Sequence, residues 1–155
     1  MKLRAKEISA AWLTGRIGPF STLPMKLEDY NRFCASLPHS SHVVQWGGAH
    51  VWKVGQPGRS KVFAIAGWGD GADLAVTFKV SPLSFDLLNE QPGLRPAPYL
   101  ASRGMKWIQR YDDAVLDDQD LKRYLRESYR IVSLGLSKKR RRALGLNQPE
   151  DDGDR

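Results

Sequence analysis

The chain has 155 residues, enough for one domain around a single core. Hydrophobic residues make up 41% and charged residues 26%, a balance that fits a soluble globular protein and excludes wholesale disorder. No apolar run approaches the about 20 residues a membrane span needs, so no membrane is expected, and the net charge of +7 points instead towards an anionic partner such as nucleic acid.

The charge sits mostly at the ends. Residues 1–24 form a basic N-terminal extension, with Lys2, Arg4, Lys6 and Arg16 against Glu7. The extension lacks the apolar stretch of a secretory signal. Met25 opens "MKLEDYNRFCASLP", which reads as a clean domain start and an alternative initiation point. Near the other end Lys138, Lys139, Arg140, Arg141 and Arg142 run consecutively, and residues 146–155 form an acidic tail expected to be disordered. The body between these ends, within a single domain spanning 25–145, is close to neutral.

Leu27, Tyr30, Phe33, Cys34 and Leu37 make one helical stripe, ended by Pro38. Cys34 is the single cysteine, so no internal disulfide can form; on this stripe it reads as a packing thiol, which suits a reducing cytoplasm. The period then changes to that of a strand. "HVVQWGGAHVWKV" predicts two strands joined by a two-residue turn at Gly47-Gly48, which would set Trp46 opposite Ala49 and Val44 opposite Val51. "KVFAIAGW" predicts a third, central strand and "LAVTFKV" a fourth, with Val76 and Phe78 on one face and Thr77 and Lys79 on the other.

Ser81 and Pro82 have the chemistry of a helix cap and first turn, with Leu83, Leu87 and Leu88 as its buried stripe. The prolines of "NEQPGLRPAPYL" impose an extended segment. "MKWIQRY" predicts a fifth strand, with Lys106, Ile108 and Arg110 sharing one face. Asp117 caps a long helix whose inner stripe is Leu121, Tyr124, Leu125, Ser128 and Val132. Gly135 interrupts it, and Ser137 caps a last short helix through the basic run. The order α-β-β-β-β-α-β-α predicts a two-layer α+β domain, an antiparallel sheet with helices packed on one face.

"FCASLPHSSHVVQWGGAHVWKV", "VTFKVSP", "LRPAPYL", "GMKWIQRY" and "RESYRIV", in this order, resemble the MmcQ/YjbR family from about Tyr30 to Leu144. The resemblance implies the same element order and no established enzyme activity. It also implies a DNA-binding role, because family members are described as DNA-binding on the strength of wing-like hairpins. The family's Lys-x-x-Pro step falls on Lys79 to Pro82, its Arg-Pro turn on Arg95-Pro96, its strand tryptophan on Trp107 and its Ser-Tyr pair on Ser128-Tyr129. Where many members carry His-Leu-Asn-Lys, this chain has Tyr99-Leu100-Ala101-Ser102.

Nothing in the sequence assembles a catalytic or metal-binding set. The histidines cluster in one hairpin, but the expected register sends His42 and His50 to opposite faces, and no second cysteine or HxH spacing supports a metal. "GWGDGAD" joins two strands rather than opening a helix, so it is a turn and not a phosphate loop. The chain is therefore expected to be a cytoplasmic monomer without enzyme activity or cofactor.

Two binding modes are expected. In the first, Lys79, Arg103, Lys106 and Arg110, with Lys138, Lys139, Arg140, Arg141 and Arg142, contact DNA phosphates with low specificity. In the second, Lys79, Tyr99 and Trp107 line a sheet-edge pocket for a small anionic ligand or a protein partner. Among the aromatic residues Trp68 is the best candidate for an exposed stacking surface, because it borders a glycine-rich turn. The basic run itself promises less than it suggests. Five consecutive helical residues turn through about 400°, so no single face presents them all.

Overall fold

The computed structural model describes residues 24–71 and 73–146. The basic extension, up to residue 23, and the acidic tail, from residue 147, lie outside them. Helix α1 (Leu27–Ala35) is followed by β1 (Ser40–Gln45), β2 (Ala49–Val54), β3 (Lys61–Ala66) and β4 (Val76–Lys79). Then come α2 (Pro82–Leu88), β5 (Leu94–Pro96), a 3-10 turn (Ala101–Arg103), β6 (Trp107–Arg110), α3 (Asp118–Ser133) and α4 (Lys138–Leu144). The strands form one antiparallel six-stranded sheet in the order β1-β2-β3-β4-β6-β5. The architecture is the expected α+β one, with one strand more than periodicity indicated.

That extra strand, β5, pairs with β6 through Leu94↔Arg110 and Pro96↔Ile108. Its proline, Pro96, suits only an edge, where one side of the strand needs no ladder donor. The helix caps follow the sequence chemistry. Ser81 accepts from the Ser84 N–H, Asp117 from Asp120 and Ser137 from Arg140.

The main core lies between the helices and one sheet face. Tyr30 and Cys34 from α1 and Leu121, Leu125 and Val132 from α3 pack there with Trp52, Val54, Phe63, Val76, Phe78 and Ile108. Burial pushes the Cys34 thiol pKa well up, as a packing thiol requires.

Three sequence expectations are corrected. The β1–β2 register pairs Val44 with His50 and Val43 with Val51, one residue away from the expected pairing. Trp46, Gly47 and Gly48 all have positive φ (56°, 82° and 91°), so the loop holds three residues instead of two. A one-residue slip exchanges the faces of a strand. It brings His42 and His50 to the same side, with Nε2 and Nδ1 3.0 Å apart. Second, α2 turns Phe85 and Leu88 inward and leaves Leu83 and Leu87 69% and 62% exposed. With apolar residues all round this short helix, periodicity does not select a face. Third, Arg110 is buried and not on a surface.

The second sheet face carries a smaller cluster of Ala49, Val51 and Ile65, packed by Val43, Val62, Trp68 and Leu100. Two connections roof it: the start of the β3–β4 loop, with Trp68, and the β5–β6 connection, with Tyr99 and Leu100. Glycine is required where the first roof strand leaves the sheet. At Gly67 (φ 146°) a Cβ would lie 3.0 Å from the Ala49 Cβ.

Candidate nucleic-acid interface

The strands contain Lys53, Lys61, Lys79, Arg95 and Arg110 and neither aspartate nor glutamate. Alternation sorts these cations. Lys53 and Lys79 share the roofed face with Thr77, Trp107 and Gln109, because Lys79↔Trp107 and Thr77↔Gln109 are opposite pairs and Lys53 follows Val51 by two residues. Lys106 and Arg110 belong to the helix-covered face.

The expected basic patch is thereby divided. Arg110 is 4% exposed. Its guanidinium donates to the Leu116 carbonyl at 2.9 Å and pairs with Asp118 at 3.1 Å. It is an internal clamp between β6 and the start of α3, and it cannot reach a phosphate. Lys106 is exposed, with Nζ over the Phe85 ring at 4.8 Å. Arg103 is exposed in the 3-10 turn just before β6. In α4, Lys138, Lys139 and Arg142 are exposed, Arg140 is half-buried, and Arg141 is buried with Nε donating to the Leu136 carbonyl at 3.3 Å. The basic run therefore divides between surface and core, as helix geometry requires, and Arg141 leaves the set of surface cations.

Lys79 and Trp107 do come together, with Nζ 5.8 Å from the indole centroid. Ser128 fixes the Lys79 backbone. Its hydroxyl accepts from the Lys79 N–H at 2.9 Å and donates to the Phe63 carbonyl at 2.7 Å. Phe63 is the bulged residue of β3, skipped between Trp52↔Ala64 and Lys53↔Val62. The hydroxyl thus bridges β3 and β4 where their ladder stops. The neighbouring Tyr129 donates to the Pro38 carbonyl and meets Phe63 edge-on. The Ser-Tyr pair is a structural clamp.

Tyr99 does not join Lys79 and Trp107. It is 70% exposed and meets Trp68 edge-on at 5.2 Å. Trp68 in turn lies 6.0 Å from Trp46, which is 52% exposed, and its indole N–H donates to the Trp46 carbonyl at 3.3 Å. The three rings come from three separate connections: β1–β2, β3–β4 and β5–β6. All three residues have left-handed backbone, with φ of 56°, 66° and 69°. For bulky side chains that conformation costs on the order of 1–3 kcal/mol each, and such strain concentrates at functional sites.

Gln109 holds the roof down. It is fully buried, and its Nε2 donates to the Gly67 and Trp68 carbonyls, each at 3.2 Å. Its Oε1 accepts from Arg95 Nε at 2.7 Å. Arg95 also lies over the Tyr111 ring and reaches Asp70 at 3.3 Å. Sequence reasoning did not single out Gln109, and it named Arg95 only as part of the Arg-Pro turn. The available signal was a polar residue at an inward strand position and a cation beside an edge proline.

A cleft of about 640 Å³ opens beside Gly67 and Trp68, and none of Lys79, Tyr99 or Trp107 lines it. Its walls carry Asp73, Asp112, Asp113 and Asp118, which suit no phosphate. Among the described residues no group of three or more His, Cys, Asp or Glu side chains is placed to hold a metal ion, and no helix is long and apolar enough to cross a membrane.

The YjbR family model matches residues 35–131. No curated protein matches the chain. The fold is similar to the crystal structure of Deinococcus radiodurans protein DR2400, a DUF419 domain, with a TM-score of 0.69 and 26% sequence identity over 78% of this chain and 88% of that one. The family match spans well over half the sequence and contains the sheet, the Ser128 clamp and the aromatic roof, so this chain belongs to the YjbR family.

Proposed function

We propose that this chain is a non-enzymatic, low-specificity DNA-binding protein that works as a cytoplasmic monomer and engages phosphates from the roofed side of its sheet. The observation that carries this reading is the complete absence of acidic residues from the strands, combined with Lys53 and Lys79 on the roofed face and exposed Arg103 at its margin. The exposed members of α4, Lys138, Lys139 and Arg142, add nonspecific attraction. Arg142, in the last turn of α4, also complements the helix dipole without any ligand, and the run turns round the helix, so it is auxiliary.

Anisotropy of a labelled duplex, titrated at several salt concentrations, tests this reading. Three or four phosphate contacts give a slope of log K against log[salt] of about −3. Lys79→Ala combined with Arg103→Ala flattens the slope by about 1–2. Absence of salt-dependent affinity at low ionic strength overturns the proposal.

A second reading, capture of a small anion, is favoured by one observation. The Trp107 indole N–H is buried beside Lys79 without a hydrogen-bond acceptor among the described residues. Titration with inorganic phosphate, followed by the Trp107 indole NMR signal, decides it: a saturable shift lost in Lys79→Ala supports it, and an unmoved signal refutes it.

A further inference from the structure

We propose that Trp46, Trp68 and Tyr99 form a stacking platform for unpaired nucleobases, so that the protein holds single-stranded nucleic acid in preference to duplex. This rests on the nucleic-acid reading above and narrows it to a substrate class. Three aromatic residues from three different connections meet at the roof: Trp68 is half-buried against the second cluster, and Trp46 and Tyr99 are more than half exposed. None is needed there to cover the main core, which lies on the other sheet face.

Hydrogen bonds fix the backbone at all three positions and the Trp68 ring through its indole N–H. The Trp46 carbonyl accepts from the Trp68 indole, the Trp68 carbonyl from Gln109, and the Tyr99 carbonyl from the Ser102 hydroxyl. Trp68 and Tyr99 meet at 80°, which forms a step: a base stacked on one ring abuts the edge or face of the other.

The charge around the step matches a polyanionic strand. Arg103 follows Tyr99 in the same turn, and Lys79 lies on the same sheet face. Asp70, near Trp68, is paired with Arg95, and Trp68 also borders the acidic cleft, so the phosphates of a bound strand run on the Tyr99–Arg103 side of the step. Bases inside a duplex offer no free π-face and leave the platform only phosphates, whereas the bases of a single strand can splay onto it. Because every base has a π-face, the resulting preference is for strandedness and not for sequence.

The test compares a labelled oligothymidine of about 20 nucleotides with a duplex of equal length, using the full chain at one low salt concentration. The single strand binds at least about fivefold more tightly, the lower end of what one stacked base contributes. Trp46→Ala and Tyr99→Ala each weaken oligothymidine binding about 5- to 10-fold and leave duplex binding unchanged, while Tyr99→Phe retains wild-type affinity. Thermal melts confirm that these surface variants stay folded, and oligothymidine quenches the tryptophan emission of the unmodified protein. Equal affinity for the two forms, a parallel loss of both in the alanine variants, or binding without quenching overturns the platform while the DNA-binding reading stands. Binding to neither form overturns both.

Discussion

At the residue scale, two polar side chains, Ser128 and Arg110, decide the geometry. Ser128 is fully buried and satisfies a carbonyl on β3 and an N–H on β4 with one hydroxyl. Ser128→Ala leaves both groups unpaired away from water and is expected to cost about 1–3 kcal/mol, measured by urea denaturation. The Arg110 guanidinium is buried, donates to the Leu116 carbonyl and pairs with the partly exposed Asp118. Arg110→Ala leaves that carbonyl unpaired and costs about 1–3 kcal/mol, whereas Lys79→Ala, at a half-buried strand end, leaves the melting temperature nearly unchanged and lowers DNA affinity. The two variants therefore separate stability from binding. His42 supplies a pH signal. Burial, and then the neighbouring His50, hold its pKa below the ordinary 6.5. Both folded and unfolded chains have this ring neutral well above that value, so stability is insensitive to it there. As pH falls through 6.5 the unfolded chain takes up the proton first, and stability declines. An NMR titration should place the His42 midpoint below that of a free histidine, and His50→Ala should move it partway back.

At the scale of elements, chain periodicity carried α1, the central strands and α3, because each has a consistent apolar stripe, joined in α3 by the Asp117 cap. It did not carry features set by a single backbone torsion or by pairing. The β1–β2 loop holds three residues because Trp46 joins the glycines in left-handed backbone, and no pattern in "QWGGAH" announces that. The β5 strand is short and proline-flanked, so local propensity argues against it and only its pairing with β6 makes it a strand. The aromatic site was half legible: Trp68 stood out beside its glycines, but its meeting with Trp46 and Tyr99 depends on how three connections fold over one face. Gly93 shows the same dependence on tertiary approach. Its φ is 85° and a Cβ there would come 2.5 Å from the Asp112 carbonyl oxygen, so Gly93→Ala should destabilise the β5 edge by at least about 1–3 kcal/mol, seen as a lowered melting temperature.

At the scale of the whole molecule, the sequence total of positive charge misleads, because its densest run lies on a short terminal helix and turns one arginine inward. The sheet supplies a quieter signal: strands without acids, a roofed face with lysines, and an exposed aromatic step above it. Removing residues 137–155 is accordingly expected to weaken DNA binding without abolishing it, as anisotropy at low salt would show. The most direct measurement is an amide and indole NMR titration of the full chain with oligothymidine. The signals of Trp46, Trp68, Tyr99, Lys79 and Arg103 should shift together and saturate at one stoichiometry. Shifts confined to Lys138–Arg142, with the roof unmoved, would contradict the assignment of this face as the binding surface.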